Sequence, residues 1–135
     1  AGVRLVADVR ELPLSRKRGF SKKAFAGALR AAGIAYTHLP ALGCPKTIRD
    51  RYRADGNWNA YTRAFNTYLS SQGIAVSELA RLSRATTTCL VCFEADFNSC
   101  HRSFVARAAA KSGGPAVAHL TATAVIVDAA LRAAA

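Results

Sequence analysis

The sequence predicts an α/β fold, a three-layer αβα sandwich around a mainly parallel sheet of the Rossmann or flavodoxin kind. Three observations carry this. Short β-branched or apolar runs at residues 3–9, 34–39, 87–93 and 116–120 read as strands. Amphipathic stretches with helical spacing stand between them. Alternation of strand and helix requires crossover connections, which are right-handed and cover both faces of a parallel sheet.

Residues 3–9 (VRLVADV) are the first strand, with Asp8 and Arg10 at its carboxyl end, and residues 11–20 (ELPLSRKRGF) form a basic loop. Ser21 is placed to cap a helix over 21–32 whose stripe is Phe25, Ala28, Leu29 and Ala32 and which Gly33 stops. Residues 34–39 make the second strand, ending near His38. Periodicity fades over 40–56, which reads as a loop with one helical turn. Asn57 then caps a helix to about Ser71 with Trp58, Tyr61, Phe65, Tyr68 and Leu69 on its core face. Gly73 breaks it, and Val76, Leu79 and Ala80 mark a short helix to Arg84.

Residues 87–93 (TTTCLVCF read from its second Thr) are continuously apolar, as in a central strand covered on both faces. A loop over 94–99 leads into a helix over 100–111, capped by Asn98 or Ser99 and packed through Phe104, Val105, Ala108 and Ala109. Residues 116–120 are a last strand, and Thr121 is expected to cap a C-terminal helix through about Arg132.

Length and composition fit one domain over residues 1–135: the chain has 135 residues, of which 51% are hydrophobic types. Wholesale disorder is excluded by that apolar content, and no apolar run is long enough for a membrane-spanning helix. Basic residues outnumber acidic ones 19 to 8, a formal charge of +11. Arginine supplies 14 of the 19, which suits bidentate recognition of phosphate or carboxylate, although a GC-rich coding sequence produces the same bias. Four cysteines without a secretory signal point to the cytoplasm and to free thiols. The absence of Met and the early first strand lead us to expect a native segment ahead of Ala1.

In open α/β sheets a ligand sits beyond the carboxyl ends of the strands. There the sequence gathers Asp8, Arg10 and Arg16 after the first strand, His38 after the second, and Glu94, Asp96, Cys100, His101 and Arg102 after the third. Arg10, Arg16 and Arg102 are candidate anion clamps. A cation in a first helical turn is opposed by the helix dipole, so Arg102 there suggests either an anion or a pairing with Glu94 or Asp96. Glu94, leaving a buried strand, is a candidate acid or base with a carboxyl pKa raised by desolvation. His101 and Asp8 are candidates for orienting groups or moving protons. Cys100 is either a thiol activated by a helix start or a packed structural one. Cys89 and Cys92 lie three apart in a strand and point to opposite faces, so they do not form a metal knuckle. Cys92, Cys100 and His101 could share a metal only if the loop folds back, and no further ligand motif supports one. No cofactor motif is present. His38 and His119 end apolar strands and read as satisfied core or rim histidines.

Taken together, D-x-R at Asp8 and Arg10, P-x-S-R at Pro13, Ser15 and Arg16, H-L-x-x-L-G at His38, Leu39, Leu42 and Gly43, and C-x-E with C-H-R at Cys92, Glu94, Cys100, His101 and Arg102 resemble the bacterial family called domain of unknown function 488. The resemblance runs from about Gly2 to Leu120. Members usually begin with an extra strand and helix carrying a T-I-G-x-S/E-like turn, which would precede Ala1. The resemblance supports the fold and the pocket and leaves the reaction open.

These features lead to an expectation of an enzyme or ligand-binding domain for a phosphate-bearing small molecule or nucleotide, working by hydrolysis or group transfer. The alternative is a nucleic-acid module whose footprint is Arg49, Arg51, Arg53 and Tyr52 with the run Arg16, Lys17, Arg18. A thiol-based redox or sulfur-transfer role through Cys100 is third. No membrane partner is expected.

Overall fold

The computed structural model describes residues 1–128. Its elements are β1 (Leu5–Asp8), α1 (Lys22–Ala31), β2 (Ala35–His38), α2 (Lys46–Asp55), α3 (Trp58–Ser70), α4 (Gly73–Ala85), β3 (Thr88–Val91), α5 (Arg102–Lys111), β4 (Ala118–Leu120) and β5 (Val125–Val127). Single tight helical turns occupy Pro40–Leu42 and Phe97–Ser99. The architecture is α/β, with a three-stranded parallel sheet flanked by helices.

Strand β1 lies between β2 and β3, and Asp8 is level with His38 on one side and Val91 on the other. The three carboxyl ends are therefore flush. The chain turns to opposite sides of β1 for β2 and β3, which makes this end the switch point where α/β sheets hold ligands. Alternation along β1 sorts its side chains. Ala7 and Val9 join the core made with Tyr61, Phe65, Leu69, Val76, Leu79 and Val105. Asp8 instead meets Tyr36, which in turn packs edge-on against Phe25 of α1.

Helix α3 has the expected core face, with Tyr61, Phe65 and Leu69 buried and Trp58 and Tyr68 partly so. Its N-cap is Asn57, whose side chain accepts from the Ala60 amide at 3.0 Å. Trp58 stacks on Tyr61 at 4.7 Å, and Phe65, wholly buried, lies edge-on to the His101 ring at 5.2 Å. Burying a side chain of this size contributes about 1.5–3 kcal/mol. Helix α1 is attached more lightly: Phe25 and Leu29 are half-buried, but Ala28 and Ala32 of the expected stripe are exposed.

Four expectations change. The central strand is β1, whose four residues are all buried, while β3 is half-buried and pairs on one side only. A continuous apolar run marks burial and does not rank two strands. The segment expected to be a loop holds the ten-residue helix α2. It has only Ile48 and Tyr52 to pack inward and is otherwise laced with ion pairs, so no apolar stripe announces it. Helix α4 starts at Gly73 instead of being broken from its neighbour there, because the chain turns at Ser71 and Gln72. Finally, β4 leaves the parallel sheet and pairs antiparallel with β5. Thr121 caps a turn, its Oγ1 accepting from the amides of Thr123 and Ala124, and the β-branched run Val125, Ile126, Val127 forms a strand where a helix was expected. The rest of that expected helix, 129–132, lies outside the described residues.

Candidate functional site

The flush ends of β1 and β2 hold a closed polar cluster. Arg10 donates from Nε and Nη2 to the two oxygens of Asp8 at 2.8 and 2.6 Å, and its backbone amide adds a third bond at 3.2 Å. Nη1 donates to the Phe20 carbonyl at 2.6 Å, pinning the basic loop over the strand end. Tyr36 donates to Asp8 at 2.5 Å. Burial pushes the Asp8 carboxyl up, but hydrogen bonds from Arg10 and Tyr36 outweigh it and hold the group below its ordinary value. Burial, then the neighbouring Asp8, raises Tyr36, so the phenol stays protonated.

Two histidines close the same end against backbone carbonyls. The His38 Nε2 lies 2.7 Å from the Arg10 carbonyl, and the His101 Nε2 lies 2.7 Å from that of Val9. His101 is buried, and burial lowers its pKa by penalising the imidazolium.

Arg102 is the first residue of α5 and sits on the other side of β1 from this cluster's Tyr36, at the end of β3. Its Nη1 donates to Cys92 Sγ at 2.9 Å and to the Glu94 carbonyl at 2.5 Å, and its Nη2 to the Ala95 carbonyl at 3.0 Å. None of these acceptors is a carboxylate. A guanidinium has five N–H donors, so Nε–H and one Nη2 hydrogen of Arg102 have no acceptor among the described residues. Burial pulls its pKa below the ordinary arginine value. The position also opposes the α5 dipole, at a cost of about 0.3–1 kcal/mol.

Arg102 and Glu94 line one end of a cavity of about 710 Å³ that runs along the outer edge of β3 to β4. Its walls are mostly apolar, from Leu79, Leu90, Ala106, Ala109 and Val117, with Thr88, Thr121 and His119 among the polar groups. The volume is within the ordinary range of small-molecule sites.

Residues 1–109 match the family model described as Domain of unknown function DUF488. The chain belongs to this family. No curated protein and no solved structure matches it.

Several of the expected site residues take other positions in this DUF488 chain. Glu94 is exposed instead of desolvated, because the loop after β3 turns it to solvent. Cys100 precedes the helix in extended backbone, is 3% exposed, and is paired with Cys92; it is not a thiol in the first turn of α5. The expected free thiols are thus Cys44 and Cys89 alone. His101, not Asn98 or Ser99, is the N-cap residue of α5, because Asp96 caps the preceding turn by accepting from the Asn98 amide. Arg16 is exposed in the basic loop, and Arg10 faces Asp8. The strand ends therefore separate into a neutralised Asp8 and Arg10 cluster and a cavity end with Arg102 and Glu94. Among the described residues no group of His, Cys, Asp and Glu could hold a metal, and no helix is long and apolar enough to cross a membrane.

Three parts of the DUF488 site region escaped sequence reasoning. Tyr36 reaches Asp8 across the parallel register, a contact between residues 28 apart with no local signal. Glu11 pairs with Arg49 of α2 at 2.8 Å. His119 of β4 binds Asp128 at 3.1 Å, and Arg107 of α5 grips the same carboxylate at 3.0 and 2.8 Å. The second of these removes one arginine from the expected nucleic-acid footprint, and Arg51 and Arg53 are paired with Asp55 and Asp50.

Proposed function

We propose that this DUF488 chain binds a phosphate-bearing small molecule or nucleotide, with the anionic group at the Arg102 end of the cavity beside β3. The reading rests on one observation: a half-buried guanidinium that lines a cavity of ligand size is bonded only to neutral acceptors and has two N–H donors without a protein acceptor among the described residues. A partly desolvated guanidinium with no carboxylate partner gains from an anion, and phosphate matches the guanidinium fork in charge and geometry. Glu94, at the same end and open to solvent, would act as acid or base in hydrolysis or group transfer. Arg10 would serve indirectly by fixing the basic loop that carries Arg16. The nucleic-acid alternative is less favoured because Arg49, Arg51 and Arg53 already face carboxylates.

Calorimetric titration with inorganic phosphate, nucleoside monophosphates and triphosphates, and sugar phosphates tests it. At least one binds saturably, and Arg102→Gln weakens it by roughly ten- to a hundredfold, the worth of a hydrogen bond to a charged group. Failure of all of them to bind, or equal binding by Arg102→Gln, overturns the reading.

A further inference from the structure

The cavity contains a second group whose arrangement is that of a ligand contact. We propose that His119 is the second anchor of the bound anion, donating from its protonated ring so that the site takes dianions and takes them better as pH falls. The inference rests on the placement of the anion at Arg102.

His119 projects inward from β4 with 6% exposure and lines the same cavity as Arg102 and Glu94. Its Nε2 is held by Asp128 at 3.1 Å, and Asp128 is itself fixed by two bonds from Arg107. The ring stacks flat on Phe97 at 4.0 Å. Nε2, tilt and plane are thus all determined, and Nδ1 is the nitrogen with no protein partner among the described residues. Phe97, on which the ring stacks, is two residues past Ala95, whose carbonyl Arg102 binds.

Ionisable groups surround the ring. Asp128 from the end of β5 is in contact, Arg107 of α5 lies behind that carboxylate, and Glu94 and Arg102 face the cavity. Cys89 lines the cavity farther along β3. With Asp128 accepting from Nε2, protonation adds an N–H at Nδ1 and a full positive charge. Arg102 and His119 then offer two cations to one anion, which fits a phosphate monoester dianion better than a diester or carboxylate.

The probe is inorganic sulfate, which stays dianionic where histidine titrates. Native affinity for sulfate is expected to tighten roughly tenfold from about pH 8 to about pH 5.5, as one charge-assisted hydrogen bond is added. His119→Gln is expected to abolish that pH dependence, and Arg102→Gln to weaken binding at every pH while keeping the slope. In the native chain, nitrogen-detected NMR is expected to show the His119 Nδ1 resonance moving with sulfate saturation, a readout independent of whether the variant folds. A merely structural His119 would leave Nδ1 unmoved at saturation or the slope intact in His119→Gln, and either result overturns the proposal. If the native chain binds neither sulfate nor phosphate, the Arg102 reading fails first and this one with it.

Discussion

Arg10 folds back onto Asp8, two residues earlier at the end of the same strand, and the two side chains are 2% and 0% exposed. This is a fully internal ion pair, with every hydrogen bond to the Asp8 carboxylate supplied by Arg10 or Tyr36. It ties the basic loop, through the Phe20 carbonyl, to the centre of the sheet. The arrangement gives the D-x-R motif a physical role in holding the strand end.

Removing one partner of that pair strands the other. Asp8→Ala is expected to destabilise the chain by about 3–5 kcal/mol because Arg10 is left buried and uncompensated. The double variant Asp8→Leu, Arg10→Met should recover much of this. Urea midpoints of the two variants check the ordering.

Acid stability is expected to depend on Asp128. Hydrogen bonds from Arg107 hold its carboxyl down at about 2 against an ordinary 3.8, with burial opposing and His119 assisting. A depressed carboxylate stabilises the fold above its unfolded pKa, and that contribution disappears as pH falls from about 4 toward 2, amounting to about 2 kcal/mol. Arg107→Gln should flatten this part of a pH–stability curve measured by denaturant titration.

His101 acts in a different window. Its folded pKa lies below the ordinary 6.5 because burial disfavours the cation. The neutral ring is therefore fully stabilising above that pH, and stability falls as pH drops through it. His101→Phe, which keeps a ring against Phe65, should remove the decline below about pH 6.5 while losing the bond to Val9, worth roughly 1 kcal/mol.

Gly43 is required for space. A Cβ there would overlap the Glu11 backbone amide and lie 2.5 Å from its Cα. Gly43→Ala is expected to cost about 1–3 kcal/mol or more in thermal or urea unfolding, because backbone must move. The same shift would pull Glu11 from Arg49 and loosen α2.

The legible parts of the fold were those written in local periodicity. Strands β1, β2 and β3 and helices α1, α3 and α5 followed from apolar runs and stripes, and the gathering of Asp8 and His38 at the carboxyl ends of the strands followed from parallel alternation. Helix α2 was hidden because its stability comes from ion pairs and two packed residues, and β5 because helix and strand patterns coincide over so few residues. At the site, residue identity was readable and orientation was not. Nothing in C-H-R indicates that Cys100 turns toward Cys92 while Arg102 bonds to loop carbonyls, and the pairing of His119 with Asp128 requires a hairpin where the sequence pattern predicts a helix.

The hairpin of β4 and β5 bears on how copies of this chain behave near one another. Val125, Ile126 and Val127 are all exposed, at 64%, 41% and 53%, on a strand whose outer edge has no partner among the described residues. Such an edge is a template for a strand from another molecule. The +11 charge keeps like chains apart at low ionic strength, and added salt screens that repulsion within about 10 Å. The arginine excess thus doubles as colloidal protection for an apolar edge, and sedimentation at rising salt would reveal self-association beginning at β5.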